Sequence, residues 1–143
     1  MFYKVLDGLA YIHDKHLCHR DIKPDNIVFD ETSGIVKIVD FGVSKNMNIR
    51  GRYELMLTNT GTLAYKAPEM FEGTGYSERI DAWAVGVSLY EMITGRTPFI
   101  AEYLKDTIEA ICNEEPDLEH PAFSSYAPLV KDLLGRLLKK KPK

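Results

Sequence analysis

His19-Arg20-Asp21-Ile22-Lys23-Pro24-Asp25-Asn26 decides how the rest of the 143-residue chain is read. Before it, Val5, Leu6, Leu9, Ile12 and His13 recur at three- and four-residue intervals, which predicts a helix. No capping residue precedes that helix, as expected of one cut off in its middle. After it come two β-branched runs, Ile27-Val28-Phe29 and 35–39, joined by Asp30-Glu31-Thr32-Ser33-Gly34. Those turn residues predict a β-hairpin. Periodicity is poor over 40–69, and a loop that long without secondary structure of its own is usually functional. Over 77–94 apolar residues lie on nearly all sides, with Ile80, Trp83, Val85, Val87, Leu89, Met92 and Ile93 in the pattern. A helix apolar all round is a buried core helix, and Gly95 suits its end. Two amphipathic helices are expected over 101–113 and 127–139. The fold class is therefore mainly α, with one small hairpin beside the opening octapeptide.

Composition narrows the function. Lys and Arg number 18 against 21 Asp and Glu, a net charge of −3. That balance argues against a dedicated nucleic-acid binder, which carries a basic excess. The two cysteines, Cys18 and Cys112, lack CxxC spacing and the density of a disulfide scaffold. No apolar run reaches the roughly 18 residues that suggest a bilayer span, and the N-terminus has no signal-like segment. A soluble, intracellular, cytoplasmic chain without repeats or linkers is expected.

Two more motifs complete the octapeptide. Asp40-Phe41-Gly42 follows the hairpin directly, and Ala67-Pro68-Glu69 ends the long loop. Either tripeptide alone is a common turn, and Asp25-Asn26-Ile27 alone could be a turn entering a strand. Together, in this order and spacing, they make the chain resemble the protein kinase family, whose motifs are His-Arg-Asp, Asp-Phe-Gly and Ala-Pro-Glu. The resemblance runs over essentially all of residues 1–143 and implies the helical C-terminal lobe of a kinase domain. It implies transfer of the ATP γ-phosphoryl group to a protein hydroxyl, for which a positioned nucleophile and cations are needed.

By that resemblance Asp21 accepts or orients the proton of the substrate hydroxyl. Asn26 and Asp40 are the hard oxygen ligands for Mg²⁺. Lys23 sets a cation beside the phosphate, and Thr62 bonds Asp21 and Lys23. Lys at position 23 is similar to serine/threonine kinases rather than tyrosine kinases. Val28 is implied as a floor beneath adenine. Asp81 is implied to accept backbone N–H bonds from the catalytic segment, its bland alternative being a helix cap. His19 and Phe41 are implied as structural packing and Glu69 as the acid of the Ala-Pro-Glu turn. Regulation is implied too. Arg20 and Lys45 are cations placed to clamp a phosphate on Thr58, the alternative being that Thr58 and Thr60 are only polar loop residues. Asp25 and Glu91 match positions that bind a basic residue of the substrate, and many kinases are acidic at the second. The Lys139-Lys140-Lys141 run reads as a solvated helix end. Gly95-Arg96-Thr97-Pro98-Phe99 extends the resemblance to calcium/calmodulin-dependent-type kinases.

The glycine-rich loop and the strand lysine that grip ATP in that family do not precede Met1. An Arg expected after the last helix, to pair with Glu69, is not reached by Lys143, and Arg136 comes too early. The expectation is a C-lobe fragment truncated at both ends and weak in catalysis by itself. A second reading is a non-catalytic lone lobe that docks substrates or kinases. Its intact site residues favour the first.

Overall fold

The computed structural model describes residues 2–49, 52–53, 61–73, 75–126 and 128–140. Among the described residues there are four helices: α1 (Phe2–Asp14), α2 (Arg79–Thr94), α3 (Leu104–Asn113) and α4 (Pro128–Leu137). Six short strands among them form three two-stranded antiparallel ladders. They are β1 (Leu17–Cys18), β2 (Ile27–Asp30), β3 (Ile35–Ile38), β4 (Lys45–Asn46), β5 (Asn48–Ile49) and β6 (Arg52–Tyr53). The architecture is mainly helical, and no described helix is long and apolar enough to cross a membrane.

The period of α1 puts Val5, Leu9 and Ile12 on one buried face, where Val5 and Leu9 pack with Ile22, Ala84 and Val85. The hairpin β2–β3 pairs Ile27 with Ile38 and Asp30 with Ile35. Its turn closes through Asp30, which accepts from the Thr32 N–H at 3.0 Å.

Helix α2 is the axle of the molecule, buried from Ile80 through Tyr90 except at the half-buried Ala82. One side meets α1; the other, through Trp83, Val87 and Tyr90, meets Phe99, Ile111, Phe123 and Leu134. Gly86 is needed there, because a Cβ would stand 2.9 Å from both Leu137 and Leu138 of the α4 segment. Gly95 ends the helix at φ +78°, its N–H bonded to the Glu91 carbonyl at 2.7 Å.

The helix ends differ from the sequence reading. Residues 77–78 precede α2 as a turn. Residues 101–103 precede α3 as a loop, because the buried Thr107 hydroxyl bonds both the Ala101 N–H and its carbonyl. The 40–69 stretch is not devoid of structure: it holds β4, β5, β6 and 3-10 turns at Leu63–Tyr65 and Pro68–Met70. Two-residue strands are too short to show an alternation, so periodicity passes over them.

Past α4, Lys140 lies with its Nζ 3.6 Å from the Phe99 ring centroid and donates to the Ile111 carbonyl at 2.9 Å. It closes the C-terminal end of α3 with a cation, and burial pushes its pKa down to about 8.

Candidate active site

The octapeptide is suspended between two buried anchors. Asp81, in the first turn of α2 and 1% exposed, accepts the His19 N–H on Oδ2 and the Arg20 N–H on Oδ1, both at 2.8 Å. His13, from the end of α1, adds a third bond to Oδ2 at 3.0 Å. This carboxylate is occupied by the loop and does not cap its own helix. The second anchor is His19. The Asp21 N–H donates to its Nδ1 at 3.3 Å, so the ring proton sits on Nε2 and is donated to the Val39 carbonyl at 2.9 Å. The Phe41 ring stands edge-on to it at 4.8 Å. One imidazole thus ties the residue before Asp40 to the segment holding Asp21. A further tie, the Val39 N–H to the Asn26 carbonyl at 2.9 Å, brings Asn26 alongside.

Three non-glycine residues among those described have positive φ: His16 at +57°, just past α1, and two within the motifs. Arg20 has φ +70° and Asp40 φ +63°, the left-handed region where non-glycine residues are uncommon. Such strain persists only where the surroundings over-determine it, and it clusters at functional sites. For Arg20 the determinants are Asp81 on its N–H and Val43, whose carbonyl accepts from the guanidinium Nε.

The Asp21 carboxylate gathers four donors. Oδ1 accepts the Thr62 N–H and the Thr62 hydroxyl, each at 3.1 Å. Oδ2 lies 3.0 Å from Lys23 Nζ and accepts from Asn26 Nδ2 at 3.3 Å. Lys23 also donates to Thr62 Oγ1 at 3.0 Å, closing a ring of three side chains. Burial raises the pKa of Asp21, but the Lys23 ammonium and the two Thr62 donors outweigh it, and the net shift is below the ordinary carboxylate value. The group is an anion at neutral pH, and a proton it accepts is held weakly.

Asn26 also donates to the Asp21 carbonyl at 2.8 Å, so its side-chain bonds all use the NH₂ and leave the amide oxygen as a ligand among the described residues. Asp40 uses Oδ1 on the Gly42 N–H at 3.1 Å. Two hard oxygens suit a hard divalent cation. Among the described residues no three His, Cys, Asp or Glu side chains converge on a metal site. A cation here therefore needs further oxygens from a bound phosphate or water.

Gly61 makes the approach of Thr62 possible. Its φ is +86°, and a Cβ there would stand 2.4 Å from the Arg20 carbonyl oxygen. Gly61→Ala is expected to push Thr62 off Asp21, read as faster hydrogen exchange at the Thr62 N–H with strain of about 1–3 kcal/mol. Unchanged exchange and melting would show that the two segments are not in contact.

The remaining residues fall around this centre. Val28 is half-exposed on the hairpin, opposite Lys37. Lys45 pairs with Cys18 in the β1–β4 ladder, close to the Arg20–Val43 bond. Thr58 lies outside the described residues. Glu69, in the Pro68–Met70 turn, faces a cavity of about 190 Å³ lined also by Arg79, Trp83 and Arg136. Burial raises its pKa. Glu91 accepts from the Tyr65 hydroxyl, and burial, that bond and the nearby charges of Glu91, Asp25 and Asp21 push the Tyr65 pKa up. Asp25 and Glu91 thus share one acidic neighbourhood beside Asp21.

Sequence reasoning did not single out His13, Tyr65 or the steric need for Gly61. His13 falls on the apolar period of α1 and reads as part of it. Only the crossing of α1 with α2 puts it against Asp81.

A profile of the protein kinase domain family matches residues 1–143. The Aurora kinase of Dictyostelium discoideum is 39% identical over 139 residues, 97% of this chain and 34% of that protein. Calcium/calmodulin-dependent protein kinase type I of Schizosaccharomyces pombe is 36% identical over 138 residues, 94% of this chain and 41% of that protein. The SNF-related serine/threonine-protein kinase of Homo sapiens is 34% identical over 143 residues, 99% of this chain and 18% of that protein. The chain spans well under half the length of these relatives.

Proposed function

Since this chain belongs to the protein kinase domain family, we propose that it supplies the substrate-side half of a kinase that phosphorylates serine and threonine hydroxyls of proteins. The observation that carries this is the closed ring of Asp21, Lys23 and Thr62, with Asn26 tied to both Asp21 and Val39.

In this reading a substrate hydroxyl approaches Asp21, whose carboxylate orients it and takes its proton as its oxygen bonds to the γ-phosphorus and the bond from that phosphorus to the departing ADP breaks. Bound ATP supplies the phosphoryl group and Mg²⁺ neutralises its oxygens. Asn26 Oδ1 and Asp40 would hold that cation, and a cation needing phosphate oxygens fits a site with so few protein ligands. Lys23, already bonded to Thr62 and Asp21, offers its charge to the transferring oxygens. Thr62 sets the Asp21 carboxylate plane and, through the turn it begins, places Tyr65 and the Glu91–Asp25 acids beside the entering peptide. Those acids favour a substrate with a basic residue near the phosphoacceptor. Arg20 and Lys45 are the clamp for a phosphate on the 54–60 segment, Thr58 being the candidate.

In this reading the chain is the C-terminal lobe, and gripping ATP is the task of a second lobe. The test measures transfer from ATP and Mg²⁺ to basic Ser, Thr and Tyr peptides by the chain alone and by the longer protein. Transfer to Ser and Thr by the longer form, with little from the chain alone, is expected. Robust transfer by the isolated chain overturns the division of labour. Absence of Ser and Thr transfer from both overturns the activity.

A further inference from the structure

The last turn of α3 is closed by a side chain from a distant part of the sequence. Lys140, past α4, holds its Nζ 3.6 Å from the Phe99 ring centroid and 4.9 Å from that of Trp83. Those rings are stacked, with planes 20° from parallel, and offer a cation their negative faces. On its other side the ammonium donates to the Ile111 carbonyl at 2.9 Å and reaches the Ala110 carbonyl at 3.5 Å. Both carbonyls lie in the last turn of α3, where the helix itself supplies no donors and its dipole favours a cation. One charge therefore ties α3 to an aromatic residue of α2 and to the segment after α4.

The charge is not secure. Burial against the two rings lowers its pKa, Glu115, Cys112 and Glu114 around the end of α3 pull the other way, and the net value is about 8. The neighbouring Lys139 is exposed and lines the separate cavity beside Glu69. At pH 7 about one chain in ten then carries a free amine at position 140. Lys140 is only half-buried, so solvent reaches it. A desolvated amine that solvent can reach is a nucleophile. Lys66 is lowered by burial as well, but it belongs to the Asp21 centre.

We propose that Lys140 is a modification site for activated acyl groups, thioesters or acyl phosphates, and that its acylation unlocks the last turn of α3. In the reaction the Nζ lone pair forms a bond to the acyl carbon. The bond from that carbon to sulfur or phosphate oxygen breaks, and the thiolate or phosphate leaves with the electron pair. The nitrogen gives one proton to solvent. The product is a neutral amide with a single N–H. It carries no charge for the Phe99 and Trp83 rings or for the helix end. The site stands apart from the Asp21 centre, and the inference does not rest on phosphotransfer.

The test incubates the purified chain with acetyl phosphate from about pH 6 to about pH 10 and locates each acetylated lysine by fragment-ion mass spectrometry. Near neutral pH, Lys140 is expected to react several-fold faster than the exposed Lys105 and Lys139. Its rate should level off above about pH 9, once the amine is free. Equal rates at the three lysines overturn the modification site, as does a Lys140 rate still climbing in proportion to hydroxide at the top of the range. The unlocking is read by hydrogen exchange at the Glu114 N–H, which bonds the Ala110 carbonyl at 2.9 Å. It should exchange at least about tenfold faster in Lys140→Gln, and in the chain acetylated at Lys140, than in the wild type. Lys140→Arg keeps the charge, takes no acyl group and should exchange as the wild type does. Unchanged exchange in both the Lys140→Gln and the acetylated chain overturns the unlocking. So does acceleration that spreads to the buried amides of α2, which would be loss of fold.

Discussion

Asp21→Asn is expected, on the proposed phosphotransfer, to lower turnover by about 10²–10⁴-fold. Asn has the same shape and can still meet Thr62, so the fold should survive. What it loses is the anion that draws Lys23 Nζ to 3.0 Å and the capacity to take a proton. KM for the peptide should change far less than kcat, because the interaction lost belongs to the transition state. The pKa of Asp21 is lowered in the folded chain. A group with a depressed folded pKa stabilises above its unfolded value and loses that stability as pH falls through the folded one. Asp21 therefore stays ionised across the neutral range, and the acid limb of its pH–rate profile should lie below the ordinary carboxylate range. A variant with near-normal kcat would remove Asp21 from the chemistry, and a limb near neutrality that vanishes in Asp21→Asn would overturn the lowered pKa of this carboxyl.

Asp81→Ala should have the largest effect on stability. Its carboxylate is the acceptor for the N–H groups of His19 and Arg20, and His19 is fully buried. Each buried donor left unpaired costs about 1–3 kcal/mol. A loss of about 2–5 kcal/mol is expected, measured by urea unfolding at constant m-value. Arg20 would also lose the bond that holds it at φ +70°, so the His-Arg-Asp segment should relax and turnover should fall. Asp81→Asn keeps one acceptor oxygen and should lie between the two. An alanine variant within 1 kcal/mol of the wild type would mean that water replaces the carboxylate and the segment is held by other contacts.

The helices, the hairpin and the motif residues were legible because each has a local cause. Apolar spacing is enough to give α1 its buried face. Asp30, Ser33 and Gly34 are enough to close the hairpin. Asp21, Asn26 and Asp40 were singled out by the motifs in which they stand, and the roles proposed for them come from that resemblance. The spacing of those residues along the chain was enough to name their family. Spatial pairing was not legible in the same way. Whether Asp81 capped α2 or held the catalytic loop depended on where α2 crosses residues 19–20, more than 60 positions earlier. His13 looked like another turn of an amphipathic helix until that crossing put it on the same carboxylate. The need for glycine at position 61 comes from the Arg20 carbonyl, and the Tyr65–Glu91 bond from a turn folding back on α2. Sequence determines what each residue can donate, accept or bury. Long-range packing alone decides which donor meets which acceptor, because the bonds that hold this site link residues whose separation along the chain carries no period.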